Sequence, residues 1–348
     1  MADLPGPDVL LRQSAALVGD LRSLTPVVTR RVDAALRGLS PSRVYLVGDG
    51  DSLHAGNAAE LAFQRSGVAC QPQPALRFAE YGAAALHLDG PGRPLVVGTS
   101  ASGRTERVLR ALRAAAGAGA TTLAVTGAGG SPLSAAADRT VLVELPRPER
   151  SAGVRTHQAS LLGLTLLALR LGGRPAEPIA AAADLLEVTL EVLAGPCAEA
   201  AGVLASSPAA VVLGGGPSHG TALFAAAKLV EAAGTLTVGQ DVEEWWHVER
   251  FAYPLDMPVV LVAPPGGAHA RAAEVAARAR SAGRRVVAVV HEADTAVAGQ
   301  ALVTLPVPGD VAEELSPFVY GGFAAPLAAG VARRLGRAPF RADEPGRV

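Results

Sequence analysis

The sequence predicts an α/β fold made of two tandem domains, each built on a doubly wound parallel sheet. Short runs that are apolar throughout, such as "RVYLVG", "PLVVGTS" and "TTLAVTG", alternate with longer segments of helical periodicity. The second half of the chain repeats this order with "AAVVLGGGPS", "MPVVLVAPPGG" and "RRVVAVV" at similar separations. At 348 residues the chain is long enough for two ordinary domains, so we expect an internal duplication.

The same periodicity sets the expected domain boundaries. A helical lead-in covers residues 1–40, and the first sheet domain covers residues 41–175. A helical segment rich in alanine and leucine links the repeats over residues 176–206. The second sheet domain covers residues 207–335, and residues 336–348 form a tail.

Composition excludes several functional classes. The 31 basic side chains nearly balance the 32 acidic ones, which leaves no strong field to hold nucleic acid or an anionic membrane. Cys70 and Cys197 lack the spacing of a disulfide framework or a metal site, and the 7 histidines do not cluster. No metal is therefore expected. Neither a signal peptide nor an apolar run of membrane-spanning length is recognised, so we expect a soluble, cytoplasmic protein.

The stretch "VVGTSASGRT" combines the end of a buried strand with hydroxyl side chains and the start of a helix. Backbone N–H groups and the positive end of the helix dipole make such a loop suitable for an anion. Ser100, Ser102 and Thr105 add three hydroxyl groups, although hydroxyl residues also cap helices. The corresponding loop of the second repeat, "APPGGA", has no hydroxyl, although a helix follows there as well. This asymmetry favours one phosphate site per chain, built by the first repeat.

Nucleotide-binding motifs are incomplete in this chain. "GDGDS" and "GGGPSHG" are glycine-rich, but neither completes the dinucleotide fingerprint or the P-loop pattern. No cofactor is therefore expected.

Three features carry a resemblance to a known family: the two doubly wound repeats, the S-x-S-G-x-T loop and the segment "AAAKLVEAAGTLTVGQDVEEWWH". With them the chain resembles the sugar isomerase (SIS) family, whose domains are flavodoxin-like. The pattern is similar to the isomerase half of glucosamine-6-phosphate synthase and to fructosamine-phosphate deglycases, over about residues 9 to 335. The resemblance implies a cofactor-free isomerase or deaminase that acts on a hexose 6-phosphate, with an amino sugar favoured.

The resemblance also implies which residues bind the substrate. In the family, the S-x-S-G-x-T loop binds the sugar phosphate, and the loop before the first helix adds a further contact. The residues implied here are Gly50, Asp51, Ser52, Ser100, Ala101, Ser102, Gly103 and Thr105.

Asp51 stands where the synthase has a hydroxyl residue. A carboxylate would repel a phosphate, but it would accept hydrogen bonds from sugar hydroxyls or pair with an amino group. Capping of the helix that starts near Ser52 is an equal alternative.

His54 is assigned to the helix start, and Arg155 and His157 are assigned to supporting positions.

The catalytic positions of the family match four residues of the second repeat, namely Lys228, Glu231, Glu244 and His247. Moving a sugar carbonyl between C1 and C2 requires a base that transfers a proton between neighbouring carbons, and a partly buried carboxylate suits this role. The resemblance assigns the role to Glu231, with Lys228 one helical turn before it to hold the carboxylate or an enolate oxygen. An ordinary surface Lys–Glu pair is the alternative.

His247 is implied as the acid and base that opens the sugar ring, because histidine titrates near neutral pH. Glu244, one turn before it, is expected to orient the imidazole. The neighbouring Trp245 and Trp246 are also compatible with simple packing. In relatives this histidine reaches the active site of a neighbouring subunit, which implies a homodimer.

Besides Asp51, the sequence departs from the synthase pattern in three places. The glutaminase half is absent, so the chain is not expected to release ammonia from glutamine. The carboxyl-terminal "LGRAPFRADEPGRV" lacks the lysine that engages the open-chain sugar, and Val248 replaces the glycine that often follows the histidine. A deglycase, a pathway-specific isomerase and a non-catalytic sugar-phosphate sensor therefore stay open as alternatives. The retained Glu231 and His247 argue against the sensor.

Overall fold

The computed structural model describes residues 6–88, 92–149 and 151–341. The first five residues of the predicted lead-in, and residues 342–348 of the predicted tail, lie outside the described residues. Two parallel five-stranded sheets with helices between their strands confirm the predicted fold class.

The chain divides into two compact units, and each is described by itself. The first-repeat unit comprises Gly19–Pro148 and Arg155–Ala181. The second-repeat unit comprises Met1–Val18, Glu149–Val154 and Ala182–Val348. The lead-in predicted for residues 1–40 is therefore divided between the two units.

The first sheet has the strand order β2-β1-β3-β4-β5, with all strands parallel. Its strands are β1 (Val44–Gly48), β2 (Cys70–Pro74), β3 (Leu95–Thr99), β4 (Thr121–Thr126) and β5 (Arg139–Leu142). The helices of this half are α1 (Asp8–Ala35), α2 (Asp51–Arg65), α3 (Ala75–Arg77), α4 (Glu106–Gly117), α5 (Pro132–Ala136) and α6 (Val154–Leu171). A π-helical turn, Phe78–Gly82, and a 3-10 helix, Ala83–Leu88, follow α3. Every residue of β1 and β3 is buried, which explains why these strands are apolar throughout.

The second sheet has the order β10-β9-β8-β6-β7, again parallel throughout. Its strands are β6 (Ala209–Gly214), β7 (Leu236–Asp241), β8 (Pro258–Ala263), β9 (Arg285–His291) and β10 (Val303–Val307). Its helices are α7 (Pro178–Ala205), α8 (Pro217–Ala233), α9 (Val242–His247), α10 (His269–Ser281), α11 (Ser316–Tyr320) and α12 (Ala324–Leu335). Single 3-10 turns lie at Glu249–Phe251, Ala298–Gln300, Glu313–Leu315 and Pro339–Arg341.

Both sheets have the same strand order along the chain. In each, the first strand lies inside the sheet, the second is an edge strand, and the chain then crosses over to build the other side. The reversal falls between β1 and β3 in the first sheet and between β6 and β8 in the second. Ligands of open α/β sheets bind outside the carboxyl ends of the strands at such a reversal, which directs attention to the loops that follow these four strands.

Each unit has its own apolar core. In the first, Leu112 of α4 packs so closely on β3 that a Cβ at Gly98 would lie 2.8 Å from it. In the second, Trp245 is 2% exposed within the core, so its role is packing, whereas Trp246 is partly buried at the core edge. The packing interpretation of the first tryptophan therefore holds.

Two helical segments are long and apolar enough to cross a membrane when judged by length and composition alone. Of the most apolar window of Glu313–Leu335, 83% is buried inside the protein, as in a core helix, and the value for Pro178–Ala205 is 33%. Core helices of soluble proteins pass the same test, so these segments are weak evidence for a membrane protein.

Candidate active site

The predicted phosphate loop connects β3 to α4 at the reversal of the first sheet. Helix α4 begins at Glu106, and its N-cap residue, Thr105, makes no side-chain capping hydrogen bond. Instead, the Thr105 hydroxyl lies 2.8 Å from the hydroxyl of Ser100. Ser102 is exposed, and its hydroxyl accepts a weak hydrogen bond from the N–H of Arg104 at 3.3 Å. The N-cap residue therefore does not use its hydroxyl to cap the helix, so helix capping does not explain the hydroxyl residues of this loop.

The backbone of the loop is held in place by the segment that follows β4. The carbonyl of Ala101 accepts from the N–H of Gly127 at 3.1 Å, and that of Gly103 accepts from the N–H of Leu133 at 3.0 Å. Gly103 has a φ of 62°, and a Cβ there would lie 2.1 Å from the hydroxyl of Ser131. Only glycine fits this position, because a side chain would meet both a strained backbone and a filled space.

The second loop of this edge follows β1. Helix α2 begins at Asp51, and its N-cap is Gly50, with a φ of 52° and no side-chain capping bond. Of the two alternatives for Asp51, the one in which it caps the helix does not hold, because Gly50 is the N-cap and Asp51 is already the first residue of the helix. Ser52, one residue into the helix, lies directly against Gly48, where a Cβ would approach that of Ser52 to 2.9 Å.

The carboxylate of Asp51 has a histidine neighbour. Its Oδ1 lies 3.7 Å from Nδ1 of His54, one helical turn later, and both side chains are largely buried. On the other side, Nδ1 of His157 lies 3.1 Å from the Asp51 carbonyl oxygen. The sequence assigned His54 to a helix start only. The spacing of three residues on one helix was the signal that would have paired it with Asp51.

The two loops share one edge of the sheet. Strands β1 and β3 are parallel neighbours, with Val47 opposite Gly98 near their carboxyl ends. Asp51 and Ser52 therefore lie at the same edge as Ser100 and Ser102. Arg155 is not part of this group, because it forms a buried ion pair with Asp20 and bonds to two main-chain carbonyls.

In the second-repeat unit, α8 brings Lys228 and Glu231 together. The Lys228 ammonium donates a hydrogen bond of 2.6 Å to Glu231 Oε2 and lies 5.3 Å from the centre of the Phe224 ring. The lysine side chain is 0% exposed and that of the glutamate 33%. A surface Lys–Glu pair is therefore excluded. One carboxylate oxygen is fixed by a buried cation while the side chain keeps access to solvent.

Lys228 is also the single lysine of the whole chain, and every other permanently basic side chain is arginine. Arginine has a larger, planar head group and cannot replace a compact ammonium inside a packed helix face. This count was available from the sequence and would have singled out the position without any resemblance.

His247 ends α9 and is 64% exposed. Its Nε2 lies 3.0 Å from Oε1 of Glu243, not from Glu244, so the expected orienting residue is wrong by one position. The spacing of four residues places Glu243 on the same face as the histidine, whereas the Glu244 side chain is exposed. Glu243 is shared with Arg271, whose Nε donates to Oε2 at 2.5 Å. The hydrogen bond from Arg271, and that from His247, lower the pKa of Glu243.

The chain is similar to a known domain family and to longer proteins that contain it. Residues 39–170 match the model of the SIS domain. A glutamine–fructose-6-phosphate aminotransferase (isomerizing) from Pyrobaculum aerophilum is 34% identical over 233 residues, which is 64% of this chain and 37% of that protein. Its counterpart from Streptomyces coelicolor is 28% identical over 311 residues, 84% of this chain and 48% of that protein. The chain thus spans less than half the length of these curated relatives.

Solved structures with the same fold cover nearly the whole chain. The C-terminal domain of glucosamine-fructose-6-phosphate aminotransferase from Francisella tularensis has a TM-score of 0.76 at 16% identity, covering 93% of this chain and 97% of that one. Tagatose-6-phosphate ketose/aldose isomerase from Escherichia coli has a TM-score of 0.75 at 18% identity, covering 95% and 93%. Glucosamine-6-phosphate deaminase from Thermotoga maritima has a TM-score of 0.71 at 18% identity, covering 94% and 96%. At these identities the similarity is one of fold.

Proposed function

Because the chain is a SIS-domain protein homologous to the isomerase domain of glutamine–fructose-6-phosphate aminotransferase, we propose that it is a phosphosugar isomerase. It interconverts the aldose and ketose forms of a hexose 6-phosphate through an enediol. The observation that carries this proposal is the single, fully buried lysine paired at 2.6 Å with the partly exposed Glu231. A protein that only bound sugar phosphate would need the hydroxyl loop but not this pair.

The phosphate loop holds the substrate in this proposal. The hydroxyls of Ser100, Ser102 and Thr105, together with the N–H groups of the first turn of α4, donate hydrogen bonds to the phosphate oxygens. The loop is already fixed by the hydrogen bonds that its carbonyls accept from Gly127 and Leu133. Little ordering is therefore required when the phosphate binds.

Glu231 transfers the proton between the two carbons. Starting from an aldose, its carboxylate takes the C2 proton, the C–H electron pair forms the C1=C2 bond, and the C1 oxygen gains a proton. The proton is then returned to C1 while the C2 hydroxyl loses its own proton and becomes the carbonyl. Lys228 holds the carboxylate in place and opposes the negative charge that develops on the enediol oxygens.

His247 opens the ring by moving a proton between the anomeric hydroxyl and the ring oxygen. The imidazole is exposed, and the residues after it include Val248, Phe251 and Tyr253, which are 62%, 64% and 80% exposed. A row of exposed apolar side chains is typical of a surface that is covered in an assembly. We therefore propose a homodimer in which His247 serves the active site of the partner subunit.

Asp51 supports a more specific substrate. Its carboxylate lies at the same sheet edge as the phosphate loop and is not used as a helix cap. Beside His54, it is suited to bind a protonated amine on the sugar. This favours an amino sugar 6-phosphate, and with it a deaminase in which the same proton transfer gives an imine at C2 that water hydrolyses to the ketose and ammonia. A fructosamine-phosphate deglycase would use the same residues.

Proton exchange in D2O tests the proposed reaction. The purified protein is incubated with the 6-phosphates of glucosamine, fructose and fructosamine, and with the unphosphorylated sugars, while NMR follows deuterium at C1 and C2. We expect deuterium to enter phosphorylated substrates only. Ammonia release would separate a deaminase from an isomerase. Binding without exchange of any substrate would leave the sensor as the function.

Mixing two inactive variants tests the shared active site. His247→Ala and Glu231→Gln subunits are each expected to be inactive, whereas their mixture regains about a quarter of wild-type activity after subunit exchange. The reason is that one site of each mixed dimer then holds both native residues. Light scattering must show a dimer for every variant. A dimer mixture that stays inactive would place His247 in its own subunit's reaction.

A further inference from the structure

A cavity of about 540 Å³ lies at the carboxyl edge of the second sheet. It is lined by His291, the last residue of β9, and by residues from the segments that follow β8, β9 and β10, which include Pro265, His269, Asp294 and Asp310. It corresponds in topology to the region of the phosphate loop in the first repeat, and its volume falls in the range of small-molecule sites. Nothing in the proposed function uses these residues.

The cavity lining contains a hydrogen-bonded histidine–aspartate pair. His269 begins α10, and its Nε2 lies 2.6 Å from Oδ2 of Asp294, whose side chain is 5% exposed. The other oxygen of Asp294 accepts from the N–H of Val297 at 2.9 Å. Burial opposes ionisation, but the hydrogen bonds from His269 and from the Val297 N–H outweigh it and lower the pKa of Asp294. The cavity therefore contains a fixed carboxylate.

A second histidine has a defined tautomer. Nδ1 of His291 accepts a hydrogen bond of 3.0 Å from the N–H of Ala293, so the ring proton of the neutral form is on Nε2. Nε2 lies 3.5 Å from Oδ1 of Asp310, a side chain that is 97% exposed. Asp310 is therefore a carboxylate that can reach a ligand with little loss of other contacts.

At the start of α10, which corresponds to the start of α4 beside the predicted phosphate loop, a carboxylate already accepts a backbone N–H group. Glu313 accepts the N–H of Gly267 at 2.8 Å, just before α10 begins. A Cβ at Gly266 would lie 2.3 Å from the Glu313 carboxyl group, so this side chain is pressed against the loop. Among the described residues that line the cavity there is no lysine or arginine. A carboxylate at the anion position and the absence of a permanent positive charge in the lining both disfavour an anionic ligand.

A buried tyrosine of α11 does not line the cavity, but its hydroxyl is influenced by the charges of the same carboxylates. Tyr320 is 1% exposed, and its hydroxyl has no hydrogen-bond partner among the described residues. Burial, followed by the charges of Asp294 and Asp310, raises the pKa of Tyr320.

We propose that this cavity binds a small protonated amine of hexosamine size that carries no phosphate. The exposed carboxylate of Asp310 matches the ammonium group, the carboxylate of Asp294 adds negative charge to the lining, and the histidines and the hydroxyl of Thr295 match ring hydroxyls. The two repeats thus present different chemistry at corresponding edges. The first has hydroxyls and a free helix start for a phosphate, and the second has carboxylates and a helix start covered by Glu313.

Calorimetric titration with D-glucosamine hydrochloride tests the site, in a buffer that contains neither phosphate nor amines. We expect saturable binding by the wild-type protein that is weakened about tenfold in Asp310→Asn, whose exposed side chain leaves the fold intact. N-acetyl-D-glucosamine, with the same ring but no charge, is expected to bind at least tenfold more weakly than glucosamine.

Ser102→Ala serves as the matched control, because it changes the phosphate loop and leaves this cavity unaltered. Glucosamine binding that is weakened by Ser102→Ala, and not by Asp310→Asn, would overturn the proposal by placing the ligand in the phosphate site. Competition by inorganic phosphate, or no measurable binding of glucosamine, would overturn it as well. The titration needs no turnover, so its result is independent of the isomerase reaction.

Discussion

Replacing Glu231 with glutamine is expected to reduce kcat for isomerisation by a factor of about 10²–10⁴, the usual contribution of a positioned acid or base. The amide keeps the size of the side chain and can still accept a hydrogen bond from Lys228, which lies 2.6 Å from the carboxylate. It cannot take up a proton from carbon. KM should change little, because the phosphate is held by other residues. Initial rates and deuterium exchange measure both quantities.

Glu244→Gln is the matched control for this variant. Glu244 is an exposed glutamate on α9, and the structure pairs His247 with Glu243 instead. Its replacement should leave kcat and KM unchanged, and circular dichroism should give wild-type melting for both variants. A Glu231→Gln enzyme with wild-type kcat would remove Glu231 from the reaction. Loss of activity in Glu244→Gln would restore the role that the sequence suggested for that residue.

Gly103→Ala is expected to damage the phosphate loop. The new Cβ would lie 2.1 Å from the Ser131 hydroxyl and 2.9 Å from that of Thr126, at a φ of 62°. Left-handed backbone strain and overpacking together predict a loss of about 2–4 kcal/mol in the free energy of unfolding. We also expect KM for the sugar phosphate to rise more than tenfold, since the loop must shift. Chemical denaturation and steady-state kinetics provide the two readouts.

Two further variants test whether the clash at Gly103 causes the loss of stability. Ser131→Gly in the Gly103→Ala background removes the nearest clashing atoms and should restore part of the lost stability. Gly117→Ala, at the end of α4, adds the same methyl group where nothing lies within 4 Å, and it should be neutral or slightly stabilising. Equal stability of Gly103→Ala and Gly117→Ala would show that the loop is not packed as described.

The fold was predictable from the sequence because its signals are local. Strands that are apolar throughout, such as Val44–Gly48 and Leu95–Thr99, alternate with helices, and this alternation allows few arrangements other than a parallel sheet. The asymmetry between "TSASGRT" and "APPGGA" likewise indicated that only one repeat carries a hydroxyl loop. The resemblance then pointed to Lys228, Glu231 and His247.

The tertiary structure determines the positions and partners of Asp51 and His247. Asp51 turned out to be the first residue of its helix rather than the cap, and it lies beside His54. His247 meets Glu243, which a second helix also holds through Arg271. The spacing of three or four residues along a helix makes both pairs possible. The exact helix start, and the preference of His247 for Glu243 over Glu244, depend in addition on contacts such as that with Arg271, which is distant in sequence.

The sequence by itself determined the α/β class, the two repeats and the residue types available for phosphate and proton transfer, because periodicity and composition are properties of neighbouring residues. Only the tertiary structure decided that Lys228 is fully buried, that the hydroxyl loop does not cap its helix, and that Glu313 covers the corresponding helix start of the second repeat. Burial and pairing are set by contacts between elements far apart along the chain, and they exist only once the sheets and helices have packed.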